Sequence, residues 1–164
     1  MPDWSKFTKR ISIKASIQKI YDAWASQSSI EMWFLRKALY KDPSGKIRGK
    51  DDSIQAGDDY EWMWFGYPDE VVERNKILES NGRDLMKFGF AGKCIVMIRI
   101  CEEEGENVIE LTQENIPDDE NPSTNLFVGC GEGWTFYLAN LKSVLEGGLD
   151  LRNKNINLRK VVNS

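Results

Sequence analysis

The chain is 164 residues long, the size of one domain. With 41% hydrophobic and 29% charged residues it has a globular composition that supports a real core, and its net charge of −4 argues against a general nucleic-acid binder. Histidine is absent, which excludes Ser-His and Cys-His nucleophile pairs and His-ligated metals, and the three cysteines, Cys94, Cys101 and Cys130, are too scattered for a four-thiolate zinc site.

No transition metal and no cofactor are expected. No apolar run approaches the ~20 residues of a membrane helix. The opening "MPDWSKFTKR" lacks an apolar signal-peptide core. An odd, sparse set of thiols fits a reducing compartment, so the chain reads as cytoplasmic, engaging neither membrane nor nucleic acid.

"FTKRISIKA", Phe7 to Ala15, alternates as a strand does. Ser16 then caps a short helix, "IQKIYDAWAS", whose Ile17, Ile20, Tyr21 and Trp24 follow helical spacing. "SSIE", Ser28 to Glu31, has capping-box spacing and predicts a second short helix through Leu35. Ala38 to Lys50 holds "KDPSGKIRG", a turn-rich connection between short strands. Five further strands are predicted: Tyr60 to Phe65, Val71 to Glu79, Asp84 to Phe90, Cys94 to Cys101, and Val108 to Glu114. The short gaps between them imply consecutive antiparallel hairpins.

The last large element is "TNLFVGCGEGWTFYLANLKSVLEGG". Trp134, Tyr137, Leu138, Leu141 and Leu145 recur at three and four residues, and Gly147-Gly148 supplies a stop. Gly129, Gly131 and Gly133 weaken its first turns. A sheet needs its apolar face covered, and only this helix is long enough to cover it. The whole of 1–164 therefore reads as one α+β domain, with a core at about 8–148 and a mildly basic tail at 149–164.

Three stretches carry a family resemblance. "GWTFYLANLKSVLEGG", "KILE" at Lys76 to Glu79, and "ENVIELTQENIP" resemble the terminal-helix, fourth-strand and last-strand signatures of one branch of the birch-allergen and START-type superfamily. That branch is named after the activator of the heat-shock protein 90 ATPase. Where many members have Leu-Thr-His in the last strand, Gln113 stands here. The resemblance implies the helix-grip fold, a curved antiparallel sheet wrapped around a C-terminal helix with two short helices after strand 1. It implies function less directly, because this fold hosts carriers, enzymes and chaperone partners.

Strand parity then assigns faces. With Glu61 toward water, Tyr60, Trp62 and Trp64 turn inward. With Arg99 outward, Cys94, Val96, Ile98 and Ile100 face in. Leu111 belongs inside, and Gln113 shares its face. Glu79 shares a face with Ile77, which points it inward too, whereas Glu73, Glu110 and Glu132 read as solvated. Trp33, Phe88, Trp134, Tyr137, Leu138 and Leu141 complete the candidate lining of a cavity between sheet and helix. Such side chains equally build an ordinary core.

The function expected is a small soluble protein binding an apolar or aromatic ligand. The resemblance adds a chaperone as an alternative partner. A further alternative is an enzyme on a hydrophobic substrate, with Glu79 or Tyr137 perturbed for acid–base work. A Trp62→Ala change is expected to weaken such a ligand more than it destabilises the fold.

Overall fold

The computed structural model describes residues 1–158 and 160–162. The predicted tail runs to 164, and its residues 159, 163 and 164 lie outside the described ones. The elements are β1 (Phe7–Ser12), α1 (Ile17–Asp22), α2 (Gln27–Glu31), β2 (Lys37–Lys41), β3 (Asp59–Met63), β4 (Glu73–Ser80), β5 (Leu85–Phe90), β6 (Cys94–Glu103), β7 (Glu106–Glu114) and α3 (Leu126–Leu145). The seven strands form one curved sheet in the order β1-β7-β6-β5-β4-β3-β2. Every pairing is antiparallel. This is the helix-grip architecture.

The elements follow the local chemistry, with shifted ends. β1 stops at Ser12 rather than Ala15: the Ile13 amide still donates to the Asn107 carbonyl of β7 at 2.9 Å, and beyond it the chain turns toward α1. Ser16 caps α1 as expected, accepting from the Lys19 amide at 3.1 Å, but the helix ends at Asp22 and Trp24 lies in the turn beyond. α2 is capped by Ser26, not Ser28; the Ser26 hydroxyl accepts from the Ser29 amide at 3.2 Å. It ends at Glu31, so Trp33 and Phe34 occupy a turn.

The β6–β7 hairpin pairs Glu103 with Glu106 across Glu104 and Gly105. These two residues have φ of 52° and 79°, the geometry of a type I′ turn, which matches strand twist and needs glycine at its second position.

α3 lies across the concave face. Gly131, Trp134, Tyr137, Leu138, Asn140 and Leu141 are its buried residues. The Asn125 side chain caps it, and the three early glycines do not interrupt it. The Lys142 ammonium donates to the Ser12 carbonyl at 2.6 Å, tying the helix to the end of β1. Past Leu145, Gly147 takes a φ of 81° and the Gly148 amide donates to the Ser143 carbonyl at 2.7 Å, closing the helix.

Candidate functional site

Five separate segments aim aromatic rings at the space between sheet and α3. Trp24 comes from the turn after α1, and Trp33 and Phe34 from the turn after α2. β3 and the residue just beyond it supply Tyr60, Trp62 and Trp64. β5 supplies Phe88 and Phe90, and α3 supplies Trp134 and Tyr137. Phe34 is the hub. Its ring centroid lies 5.2 Å from Trp33, 5.4 Å from Trp62, 5.6 Å from Trp64, 5.1 Å from Trp134 and 4.9 Å from Tyr137. Sequence reasoning missed Phe34 and Trp24 as members of this layer. One signal was present: Met32-Trp33-Phe34-Leu35 is too long an apolar run for one face of a short helix.

Most candidate lining residues are fully buried: Trp33, Tyr60, Trp62, Phe88, Val96, Ile98, Gln113, Trp134, Leu138 and Leu141, with Tyr137 nearly so. Several polar atoms among them are satisfied internally. Trp33 Nε1 donates to the Ala23 carbonyl at 2.8 Å, and the Tyr60 hydroxyl to the Gly89 carbonyl at 2.6 Å. Trp62 Nε1 donates to the Tyr40 hydroxyl at 3.0 Å. Burial pushes the Tyr40 and Tyr60 hydroxyls far above the ordinary phenol range, and the Tyr137 hydroxyl up to about 12. Trp64 and Phe90 are only half-buried and sit 6.3 Å apart at the rim of the layer.

Glu79 is not among them. The register of β4 against β5 shifts between Ile77 and Glu79, and the bulge turns Glu79 to solvent. The inward carboxylate is instead Glu73, which reads as solvated in the sequence although it shares the face of Ile77. It is half-buried, accepts from the Ala91 amide at 2.9 Å, and burial pushes its carboxyl above the usual range. The acid–base reading thus loses Glu79. Tyr137 stays protonated at neutral pH, so it can donate a proton but is no base.

Gln113 is wholly buried on β7. Trp134 Nε1 donates to its Oε1 at 2.8 Å. An indole N–H only donates, so this bond fixes which end of the amide faces α3. Gln113 Nε2 then points elsewhere and finds no acceptor, and the buried Trp24 Nε1 has none either. Each such orphan costs about 1–3 kcal/mol. The thiols of Cys94 and Cys130 stand beside the Gln113 amide; burial pushes both up, and the amide pulls the other way. Thiol sulfur is a weak acceptor and does not replace a full hydrogen bond.

The rings contact one another throughout this layer, so a molecule entering it displaces side chains. Two open concavities lie elsewhere. One of about 460 Å³ is on the solvent face of β2, β3 and β4, lined by Leu39, Glu61, Arg74 and Lys76 among others. The second, about 270 Å³, lies between Pro2–Ser5 and Ile116–Asp119. The flank of α3 that bears Tyr137 and Asn140 also carries the half-buried Gly133, where an added Cβ would meet no heavy atom within 4 Å.

The tail braces the hub. Arg152 is buried, with Nη1 donating to the Leu35 carbonyl at 2.9 Å and Nη2 to the Glu31 carbonyl at 3.0 Å. It also pairs with Asp150 at 2.8 Å. Asn140 of α3 donates to the Trp33 carbonyl at 2.7 Å and to Asp150 at 3.0 Å. The turn that presents Trp33 and Phe34 is therefore clamped from both sides. Among the described residues, no group of three or more Cys, Asp and Glu gathers that could hold a metal ion, and no helix is long and apolar enough to cross a membrane.

The model of one family, described as activator of Hsp90 ATPase homolog 1-like protein, matches residues 14–146. The chain belongs to this family. Solved structures of similar shape include the Aha1 dimer from Colwellia psychrerythraea, 19% identical with a TM-score of 0.66, covering 87% of this chain and 97% of that one. A protein of Staphylococcus saprophyticus is 17% identical with a TM-score of 0.64, covering 90% and 96%. DynU16, from the dynemicin biosynthetic locus, is 16% identical with a TM-score of 0.67; the match covers 93% of this chain and 51% of that one. At these identities the likeness establishes the fold. No curated protein matches the chain. This activator-of-Hsp90-ATPase-like chain therefore carries the family's fold around an aromatic layer.

Proposed function

We propose that this protein holds a small apolar or aromatic molecule between the sheet and α3, entered past Trp64, Phe90 and Gly133. The observation that carries the reading is the convergence of ten rings from five segments on one layer, with half-buried rings at its rim and open space at Gly133. Family membership is compatible with it. Titration with a panel of neutral aromatic and aliphatic probes, followed by heat and by amide chemical shifts, tests it. Saturable binding of at least one aromatic probe is expected. In Gly133→Leu, a leucine fills the entrance and binding weakens at least tenfold. If no probe saturates, the proposal fails; if Gly133→Leu binds as the parent does, the entrance lies elsewhere.

A second reading, contact with the Hsp90 chaperone, is favoured by the family description. Stimulation of that chaperone's ATPase by the purified protein would support it. Neither stimulation nor co-sedimentation at micromolar excess would remove it.

A further inference from the structure

The ring layer holds two buried N–H donors without a full acceptor, Trp24 Nε1 and Gln113 Nε2, the latter with only the weakly accepting Cys94 and Cys130 thiols beside it. Folded proteins leave few such groups, and each calls for an explanation. Flipping the Gln113 amide does not help, because Oε1 must face the Trp134 indole N–H. The nearby Cys94 thiol is itself turned to the Asn115 carbonyl at 3.6 Å. Both orphans border the same indole: the Trp24 ring lies 6.1 Å from that of Trp134, whose Nε1 binds Gln113.

The charge around them restricts what can complete them. Two donors repel a cation. An anion is disfavoured too, because the carboxyl that enters this side of the sheet is the half-buried acid Glu73. Among the described residues the buried charged ones, Asp58 and Arg152, are engaged elsewhere: Asp58 by Arg48 at 2.5 Å, and Arg152 by Asp150 and the Glu31 and Leu35 carbonyls. Lys9, over the Phe7 ring and beside Gly131, is on the opposite flank of α3 from Gly133.

We infer that the molecule bound in this layer carries an uncharged hydrogen-bond acceptor, a carbonyl oxygen of a ketone, ester or amide, received by Gln113 Nε2, with Trp24 Nε1 as a second donor to the same molecule. The inference rests on the binding reading above and narrows it from apolar molecules in general to neutral carbonyl compounds. The rings enclose the hydrocarbon body and the two donors select its polar end.

The test is a matched series of 2-acetylnaphthalene, 2-ethylnaphthalene and 2-naphthoate, titrated calorimetrically into the parent, Gln113→Leu and Trp24→Phe. Trp24→Phe keeps a ring and breaks no hydrogen bond, so it remains informative if Gln113→Leu folds poorly. The ketone should bind the parent about tenfold more tightly than the hydrocarbon, the scale of one buried hydrogen bond. The naphthoate should bind more weakly than the ketone. The ketone preference should fall toward unity in Gln113→Leu and shrink in Trp24→Phe. In nitrogen–proton spectra the Trp24 indole resonance, identified by its loss in Trp24→Phe, should move with the ketone and not with the hydrocarbon. Equal affinity for ketone and hydrocarbon, a preference unchanged in both variants, or a preference for the carboxylate would each overturn the inference and leave the binding reading standing. Failure of all three probes to bind would overturn the inference, and failure of the wider panel as well would overturn the binding reading.

Discussion

Trp62 and Trp64 are two residues apart in the sequence but differ sharply in packing, and replacing each with alanine separates core from rim. Trp62 is 1% exposed. Its ring lies 3.9 Å from Tyr60, 5.1 Å from Phe88 and 5.4 Å from Phe34, and its N–H serves the buried Tyr40 hydroxyl. Deleting a buried tryptophan costs about 3–5 kcal/mol, and stranding the Tyr40 hydroxyl adds to that, so Trp62→Ala should lose roughly 4–6 kcal/mol. At ~2–4 °C per kcal/mol for a chain of this size, the melting temperature should fall by about 10–20 °C. Trp64 is half-buried, and its loss should cost only ~1–2 kcal/mol of area burial. The assay is a urea midpoint for each variant, paired with the probe titration at a temperature where both are folded. We expect Trp62→Ala to be mainly a stability variant and Trp64→Ala mainly an affinity variant. Trp62→Phe, which keeps a ring and loses the N–H, covers the case in which the alanine variant does not fold. A loss below about 2 kcal/mol for Trp62→Ala would refute the reasoning, because it would mean that the layer is open rather than packed. This reverses the order of effects expected from the sequence, where Trp62 reads as a cavity wall with few packed neighbours.

Gly133→Leu should raise the denaturation midpoint, since a leucine in a helix interior gains up to ~1 kcal/mol over glycine and meets open space; a clear fall would show that the site is crowded. Arg152→Met should cost about 2–4 kcal/mol by stranding the Glu31 and Leu35 carbonyls and Asp150, and should expose the tail to limited proteolysis; an unchanged midpoint and cleavage pattern would show that the clamp bears no load. Burial pushes the Asp150 carboxyl up, but hydrogen bonds from Arg152, Asn140 and Lys154 outweigh it and hold the group well below the usual carboxylate range. A depressed folded value means stability that is present above the unfolded value, about 3.9, and lost as pH falls below it. Stability of the parent should therefore drop more steeply below about pH 4 than that of Asp150→Asn, and parallel curves would contradict the assignment.

The identity and order of the elements were legible in the sequence because they depend on period and punctuation, which are local. Alternation put Trp62, Val96, Ile98, Leu111 and Gln113 on the inner face, and all five are buried there. The stripe Trp134, Leu138 and Leu141 faces the sheet for the same reason, and Ser16 caps α1 as its type suggests. Ends moved by one to four residues where competing caps were available, as with Ser26 over Ser28.

What parity could not give is where parity fails. One bulge in β4 sends Glu79 outward, while Glu73, before the bulge, keeps the face of Ile77, because a bulge is a property of two paired strands rather than of one. Helical spacing put Trp24 on the apolar face of α1, but both it and Phe34 lie in turns past their short helices, and only the approach of these turns to α3 brings them into the layer. Arg152 meets the Leu35 carbonyl across 117 residues of chain, a contact between a side chain and a backbone group that carries no residue-type signal. The orphan donors belong to the same category. That Gln113 points inward is local, but that Trp134 takes its oxygen and leaves its nitrogen unpaired is decided only when helix and sheet close on each other.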